Sequence, residues 1–172
     1  MVELATDLLL FDLDNTLISS DSLTEIRHSN NKYELEKFLQ DSDLVPYAGI
    51  IEALDFLAEE VALGIVTNSP RWYATRLTEK FFPTINFYPF ITYDDVCELK
   101  PNSEGLKLAL LQASCSPDRT IYVGDHEVDA AAARDVKVTF LGVRWSENEA
   151  FTCSSVIECS TPSEMAELVC KR

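Results

Sequence analysis

Short unbroken apolar runs alternate along this chain with longer stretches in which apolar residues recur every three or four positions. Unbroken runs suit strands buried on both faces, and the 3.6-residue period suits helices that turn one side to a core. The first run, Leu8-Leu9-Leu10-Phe11, stops at Asp12. A second, Ala62 to Val66, ends in Thr67 and Asn68, and a fourth, Thr120 to Val123, ends in Gly124 and Asp125. Between these lie a third, aromatic and β-branched stretch from Phe87 to Val96, interrupted by Pro89, and beyond them a fifth run from Val138 to Val143.

Helices are predicted between the runs. Pro46-Tyr47-Ala48-Gly49 reads as a turn into a helix whose Ile50, Leu54, Leu57 and Val61 form a core-facing stripe. Pro70 sits where proline favours a first helical turn, and the segment from Arg71 to Phe82 is closed by Pro83. Glu104 to Ala113 carries Leu106 and Leu110 on one face, with Pro117 beyond its end. Val128 to Arg134 is alanine-rich and helix-forming, and Thr161-Pro162-Ser163-Glu164 opens a final short helix. Residues 146 to 160 read as irregular. From about Asp21 to Asp43 the chain is polar, and Tyr33, Leu35, Phe38 and Leu39 give a short helix one apolar side.

Strands alternating with helices predict an α/β fold: a Rossmann-like three-layer sandwich around a central parallel sheet, joined by right-handed crossovers. The expectation is a single domain over residues 1–172, with a small helical cap insertion at about 19–45. In parallel sheets of this kind a site lies outside the carboxyl ends of the strands. That rule gathers Asp12, Asp14, Thr67, Asn68 and Asp125 on one rim, with Lys100 just before a helix.

Composition narrows the function classes. Apolar residues at 47% and charged residues at 25% match ordinary globular chains. The net charge of −15 makes nucleic acid and anionic membrane surfaces poor partners, though a pocket holding a metal and one or two cations can still capture a small anion. Five cysteines without a Cys-x-x-Cys pair suggest free thiols rather than a disulfide framework or zinc site. The acidic start Met1-Val2-Glu3-Leu4-Ala5-Thr6-Asp7 lacks the basic and apolar regions of a signal peptide, and no apolar run approaches the roughly 18 residues of a membrane span. A cytoplasmic location is expected.

Asp12 and Asp14, two apart at a strand end, offer one carboxylate and a nearby backbone oxygen to a metal while the other carboxylate moves protons. Oxygen donors of this kind suit Mg2+, which uses one or two carboxylates together with a substrate phosphate. A carboxylate attacking phosphorus needs positive charge to offset the phosphate, which the metal and Lys100 would supply, and Thr67 adds a hydroxyl. A lone Asp-x-Asp is more often a solvated turn, and a lone Lys-Pro a surface feature. The order and spacing of four such segments reverse that weighting.

Asp12-Leu13-Asp14-Asn15-Thr16, Thr67-Asn68, Lys100-Pro101 and Gly124-Asp125-His126-Glu127-Val128-Asp129 resemble the four ordered motifs of the haloacid dehalogenase (HAD) superfamily. Val45-Pro46-Tyr47-Ala48-Gly49 and the alanines after Asp129 are most similar to its phosphoglycolate-phosphatase-like branch. The resemblance implies a phosphatase in which Asp12 is the nucleophile that forms an aspartyl-phosphate and Asp14 the general acid/base. It further implies that Thr67, Asn68 and Lys100 bind phosphate, and that Asp12, Asp14 (through its backbone carbonyl) and Asp125 hold Mg2+. Asp129 is implied to touch the metal directly, through water, or by pairing with Lys100. The superfamily's dehalogenases lack an aspartate at the position of Asp14, which favours phosphoryl chemistry. His126 reads as a rim residue rather than a ligand, because magnesium prefers oxygen.

Two departures bear on the reading. About 28 residues separate Leu17 from Pro46, where this branch often carries a longer cap, so the expected substrate is left as a phosphorylated small molecule or a bulkier phosphorylated one. A second subunit closing the site, as in a homodimer, is the alternative to an open one. Asn15 stands where glycine is common, and asparagine tolerates the same backbone angles. A phosphomutase of the same superfamily and a non-catalytic, partner-binding domain remain the alternatives to a phosphatase.

Overall fold

The computed structural model describes residues 6–20, 33, 36–37, 44–146, 151–152 and 156–170. Most of the expected cap, including Leu35, Phe38 and Leu39, lies outside the described residues. Its two ends do not: the Ser19 amide donates to the Val45 carbonyl at 3.2 Å, which brings the chain at residues 19 and 45 together beside the loop after Asp12.

A parallel sheet of six strands in the order β3-β2-β1-β4-β5-β6 forms the middle layer. Its strands are β1 (Leu8–Phe11), β2 (Ala62–Val66), β3 (Phe90–Ile91), β4 (Thr120–Gly124), β5 (Thr139–Val143) and β6 (Ile157–Cys159). Strand alternation divides the core. Leu9 and Phe11 of β1 turn to one face with Leu63, Ile65, Ile121 and Val123, where helices α1 (Ile50–Leu57), α2 (Arg71–Phe81) and α5 (Pro162–Cys170) supply Leu54, Leu77 and Met165. Leu8 and Leu10 turn to the other with Tyr122 and Phe140, covered by α3 (Glu104–Ala113) and α4 (Glu127–Asp135) through Leu106, Leu110, Ala130 and Ala133. The expected three-layer architecture is present.

Local details differ from the sequence expectations for identifiable reasons. Helix α1 ends at Leu57, so Val61 lies in the following turn, yet its amide still donates to the Leu57 carbonyl and its side chain packs on the same core. The third strand shrinks to Phe90–Ile91 because it is an edge strand and Pro89 has no N–H to give a ladder. The stretch read as irregular contains β6, which pairs with β5 from Leu141↔Ile157 to Val143↔Cys159. Three residues are too few to produce a periodicity signal. Among the described cysteines, Cys97, Cys115, Cys159 and Cys170 are free thiols, and no described helix is long and apolar enough to cross a membrane.

Register places the site. Phe11 of β1 stands beside Ile65 of β2 and Val123 of β4, and the Asp12 amide extends the ladder to the Val123 carbonyl at 2.9 Å. The residues that follow β1, β2 and β4 therefore emerge side by side at one edge of the sheet.

Candidate active site

After Phe11 the chain turns sharply. The Asn15 amide donates to the Ile18 carbonyl and the Leu17 amide to the Leu13 carbonyl, while Asn15 sits at φ 57°, a left-handed angle that asparagine adopts more readily than other non-glycine residues. Its side-chain oxygen accepts from the Ser20 amide at 2.9 Å, closing the turn. Asp12 and Asp14 are thereby held on a short rigid loop and are both buried.

Lys100 reaches this loop from the segment before α3. Its Nζ lies 2.7 Å from Asp12 Oδ1, 2.7 Å from Asp129 Oδ1, 2.7 Å from Tyr122 Oη and 3.1 Å from the Val66 carbonyl. Tyr122 Oη itself lies 2.9 Å from the Val66 carbonyl and 3.0 Å from Asp129 Oδ1. An ammonium has three protons, so the tyrosine hydroxyl completes the count by accepting one and serving the Val66 carbonyl with its own. The backbone of Lys100 is fixed as well: the Asn68 amide donates to the Lys100 carbonyl and accepts from the Lys100 amide, each at 3.0 Å. Asn68 thus spends its side chain on Lys100.

Asp125 follows β4, and Thr16 Oγ1 donates to its Oδ1 at 3.2 Å. Asp129 lies in the first turn of α4, where its Oδ2 accepts from the His126 amide at 3.2 Å and its Oδ1 pairs with Lys100. His126 caps the same helix, its Nδ1 accepting from the Val128 amide. Gly124 is required by this packing: a Cβ there would stand 2.7 Å from the Asp129 Cβ. Thr67 Oγ1 accepts from the Ser69 amide at 3.1 Å, which leaves its proton for another acceptor. On the opposite side, Asp14 accepts from Tyr73 Oη at 2.7 Å and from Ser69 Oγ at 2.5 Å. Arg71 is directed to the sheet edge, where it bonds Asp95 and the Phe90 carbonyl.

One oxygen from each of Asp12, Asp125 and Asp129 lies within 4.8 Å of the others, and all three residues are buried. Burial raises Asp12 to about 7, with Lys100 pulling it down and Asp129 and Asp14 adding to the rise. Burial, then the charges of Asp12 and Asp129, raise Asp125 to about 8. For Lys100 burial acts downward, but Asp12 and Asp129 outweigh it and hold the ammonium above its ordinary range. With all three carboxylates ionised, the single ammonium would leave two negative charges uncompensated in a buried site, which is why burial favours protons there in the absence of a cation. An all-oxygen, doubly negative cluster fits a hard divalent cation. Both oxygens of Asp129 are engaged, Oδ1 by the Lys100 ammonium and Oδ2 by the His126 amide, which makes it a less direct donor to a cation.

With this geometry in place, the sequence profile described as haloacid dehalogenase-like hydrolase matches residues 21–143. The chain belongs to the haloacid dehalogenase-like hydrolase family. The match begins after Asp14, so the membership is independent of the first acidic pair. Among related HAD proteins, pyrophosphatase PpaX of Bacillus velezensis is 31% identical across 80% of this chain and 63% of its own length. The phosphoglycolate phosphatase of Salmonella typhi is 28% identical across 79% of this chain and 54% of its own. The chain therefore spans between about half and two thirds of the length of these two relatives. A HAD phosphatase from Thermococcus onnurineus shares the fold with a TM-score of 0.74 at 20% identity, over 97% of this chain and 99% of that one.

Sequence reasoning singled out Asp12, Asp14, Asn68, Lys100, Asp125 and Asp129, and these residues are brought together or linked by hydrogen bonds at the carboxyl edge of the sheet, beside Thr67. Tyr122, Tyr73, Ser69 and Thr16 were not singled out. Tyr122 and Tyr73 sit within apolar strand and helix patterns, so only their hydroxyls, which those patterns do not register, could have raised the question.

Proposed function

We propose that the chain is a magnesium-dependent phosphatase that hydrolyses phosphate monoesters through an aspartyl-phosphate on Asp12. The observation that carries this reading is the Lys100 ammonium, 2.7 Å from both Asp12 and Asp129, beside a carboxylate cluster suited to a divalent cation. Mg2+ bound by Asp12, the Asp14 backbone carbonyl and Asp125 would offset the charge of the substrate phosphate.

The chain's own residues divide the remaining work. A carboxylate oxygen of Asp12 attacks phosphorus as the bond to the leaving oxygen breaks, and Asp14 gives that oxygen its proton. Lys100 and the Thr67 hydroxyl hold the transferred phosphoryl oxygens, and Asn68 keeps the Lys100 backbone in place. Asp14, now ionised, takes a proton from water as it attacks the acyl phosphate, which releases phosphate and restores the Asp12 carboxylate. Asp129 pairs with Lys100 rather than holding the cation directly.

A second reading is favoured by the name of the PpaX relative: the bond broken is the phosphoanhydride of inorganic pyrophosphate rather than an ester. Both readings use Asp12 in the same way. Phosphate release should vanish in Asp12→Asn, and full activity in that variant would reject both. Rates on pyrophosphate against a panel of monoesters, with magnesium and with chelator, separate one substrate class from the other.

A further inference from the structure

The two hydroxyls on Asp14 are not explained by the phosphate chemistry above. Tyr73 Oη lies 2.7 Å from Asp14 Oδ1 and Ser69 Oγ lies 2.5 Å from Asp14 Oδ2, so each carboxylate oxygen has its own buried donor. Both donors come from one short piece of chain, the turn after β2 and the first turn of α2, whose helix begins just after Pro70. Tyr73 is fully buried and packs in the core with Leu77 and Leu54. Its ring meets Trp72 edge-on at 6.1 Å. A tyrosine so enclosed has little freedom to move its hydroxyl, and Ser69 is tied to Thr67 through its amide.

Two donors on two oxygens fix the plane of a carboxylate, where one would leave it free to rotate about the bond to Cβ. A carboxylate oxygen can accept more than one hydrogen bond, so a hydroxyl on each oxygen does not by itself prevent the group from carrying and releasing a proton. Proton transfer demands that carboxyl and reacting oxygen meet at hydrogen-bond distance. We propose that Ser69 and Tyr73 are positioning residues that orient Asp14 for proton delivery to the leaving oxygen and proton removal from water. The inference rests on the acid/base role assigned to Asp14.

The test compares two substrates that differ in their need for a proton. The leaving oxygen of p-nitrophenyl phosphate departs readily as an anion, whereas that of ethyl phosphate must be protonated. Because kcat/KM reports the step in which the leaving group departs, Tyr73→Phe and Ser69→Ala should each lower kcat/KM for ethyl phosphate by about tenfold or more. The value for p-nitrophenyl phosphate should change far less. Tyr73→Phe keeps the buried ring, and Ser69→Thr returns a hydroxyl, so rescue of the ethyl phosphate rate by threonine separates donor loss from misfolding.

Equal losses on both substrates, or none on either, would overturn the proposal. Asp14→Asn is the companion variant. If it selectively depresses ethyl phosphate while the Ser69 and Tyr73 variants do not, the positioning role alone fails. If Asp14→Asn shows no such selectivity, the acid/base reading fails and the positioning role with it.

Discussion

Lowering the pH from 8 to 6 should weaken magnesium binding steeply. Burial, with the charges of Asp129 and Asp14, raises Asp12 to about 7, and burial, with the charges of Asp12 and Asp129, raises Asp125 to about 8, so the metal-free protein holds protons where the proposed cation would bind. At pH 6 a group at about 7 is protonated roughly tenfold over its ionised form, and one at about 8 roughly a hundredfold. Relative to pH 8, affinity should fall about tenfold if only Asp12 must lose a proton, and on the order of 500-fold if both must. That range corresponds to about 1.4 to 4 kcal/mol. Stability carries the same sign. Both carboxyls lie above the 3.8 of an ordinary aspartate, so the folded metal-free chain retains protons that the unfolded chain has lost. Its stability should therefore decline as pH rises from about 4 through about 8, and magnesium should restore most at the alkaline end. Calorimetric titration in two buffers of different ionisation enthalpy counts the protons released, and thermal melts with and without magnesium give the stability arm. Equal affinity at pH 6 and pH 8 with no proton release would refute the reasoning, as would unchanged magnesium binding in Asp125→Asn.

Three further outcomes follow from the same contacts. Lys100→Met leaves Asp12 and Asp129 buried without their cation, so urea unfolding near pH 8 should show a loss of about 3 to 5 kcal/mol, shrinking as acid protonates the carboxylates. Phosphatase activity should be abolished in the same variant. Asn68→Ala removes both hydrogen bonds to the Lys100 backbone, and steady-state kinetics should show kcat/KM falling by about tenfold to a hundredfold while the fold survives. Gly124→Ala sets a methyl group 2.7 Å from the Asp129 Cβ, and the resulting shift of Asp129 should weaken magnesium-dependent turnover and lower the melting temperature.

The fold was legible where elements are long or wholly buried. Leu8 to Phe11 has no polar interruption because both faces of β1 are covered, and the pattern carries that information directly. Edge strands carry less. The two residues of β3 and the three of β6 each have one neighbouring strand, and their short runs resemble loop sequence until register with β2 and β5 is known. Val61 shows a different limit: its side chain keeps the helical spacing and its core contact although the helix has already ended.

The acidic residues and Lys100 were legible because four polar segments recur in a set order and spacing, three of them at the ends of buried strands and Lys100 just before a helix; any one alone reads as a surface feature. Their division of labour was not, since it depends on which face of the sheet each partner occupies. Asp12 continues the alternation of Leu8 and Leu10, and its partner Lys100 is met there by Tyr122, from the layer covered by α3 and α4, and by Asp129 of α4. Asp14 lies past the strand end, and its partner Tyr73 belongs to the opposite layer with Leu9 and Phe11. One turn after β1 thus sends the carboxylate paired with a cation to one side of the sheet and the carboxylate held by neutral hydroxyls to the other. In the proposed mechanism, charge compensation and proton transfer would then rest on different layers, so substitutions in α2 should alter leaving-group dependence while those around α4 alter cation binding. A sequence pattern read one strand at a time contains the alternation but not the partners, which is why the separation becomes visible only once the layers are assembled.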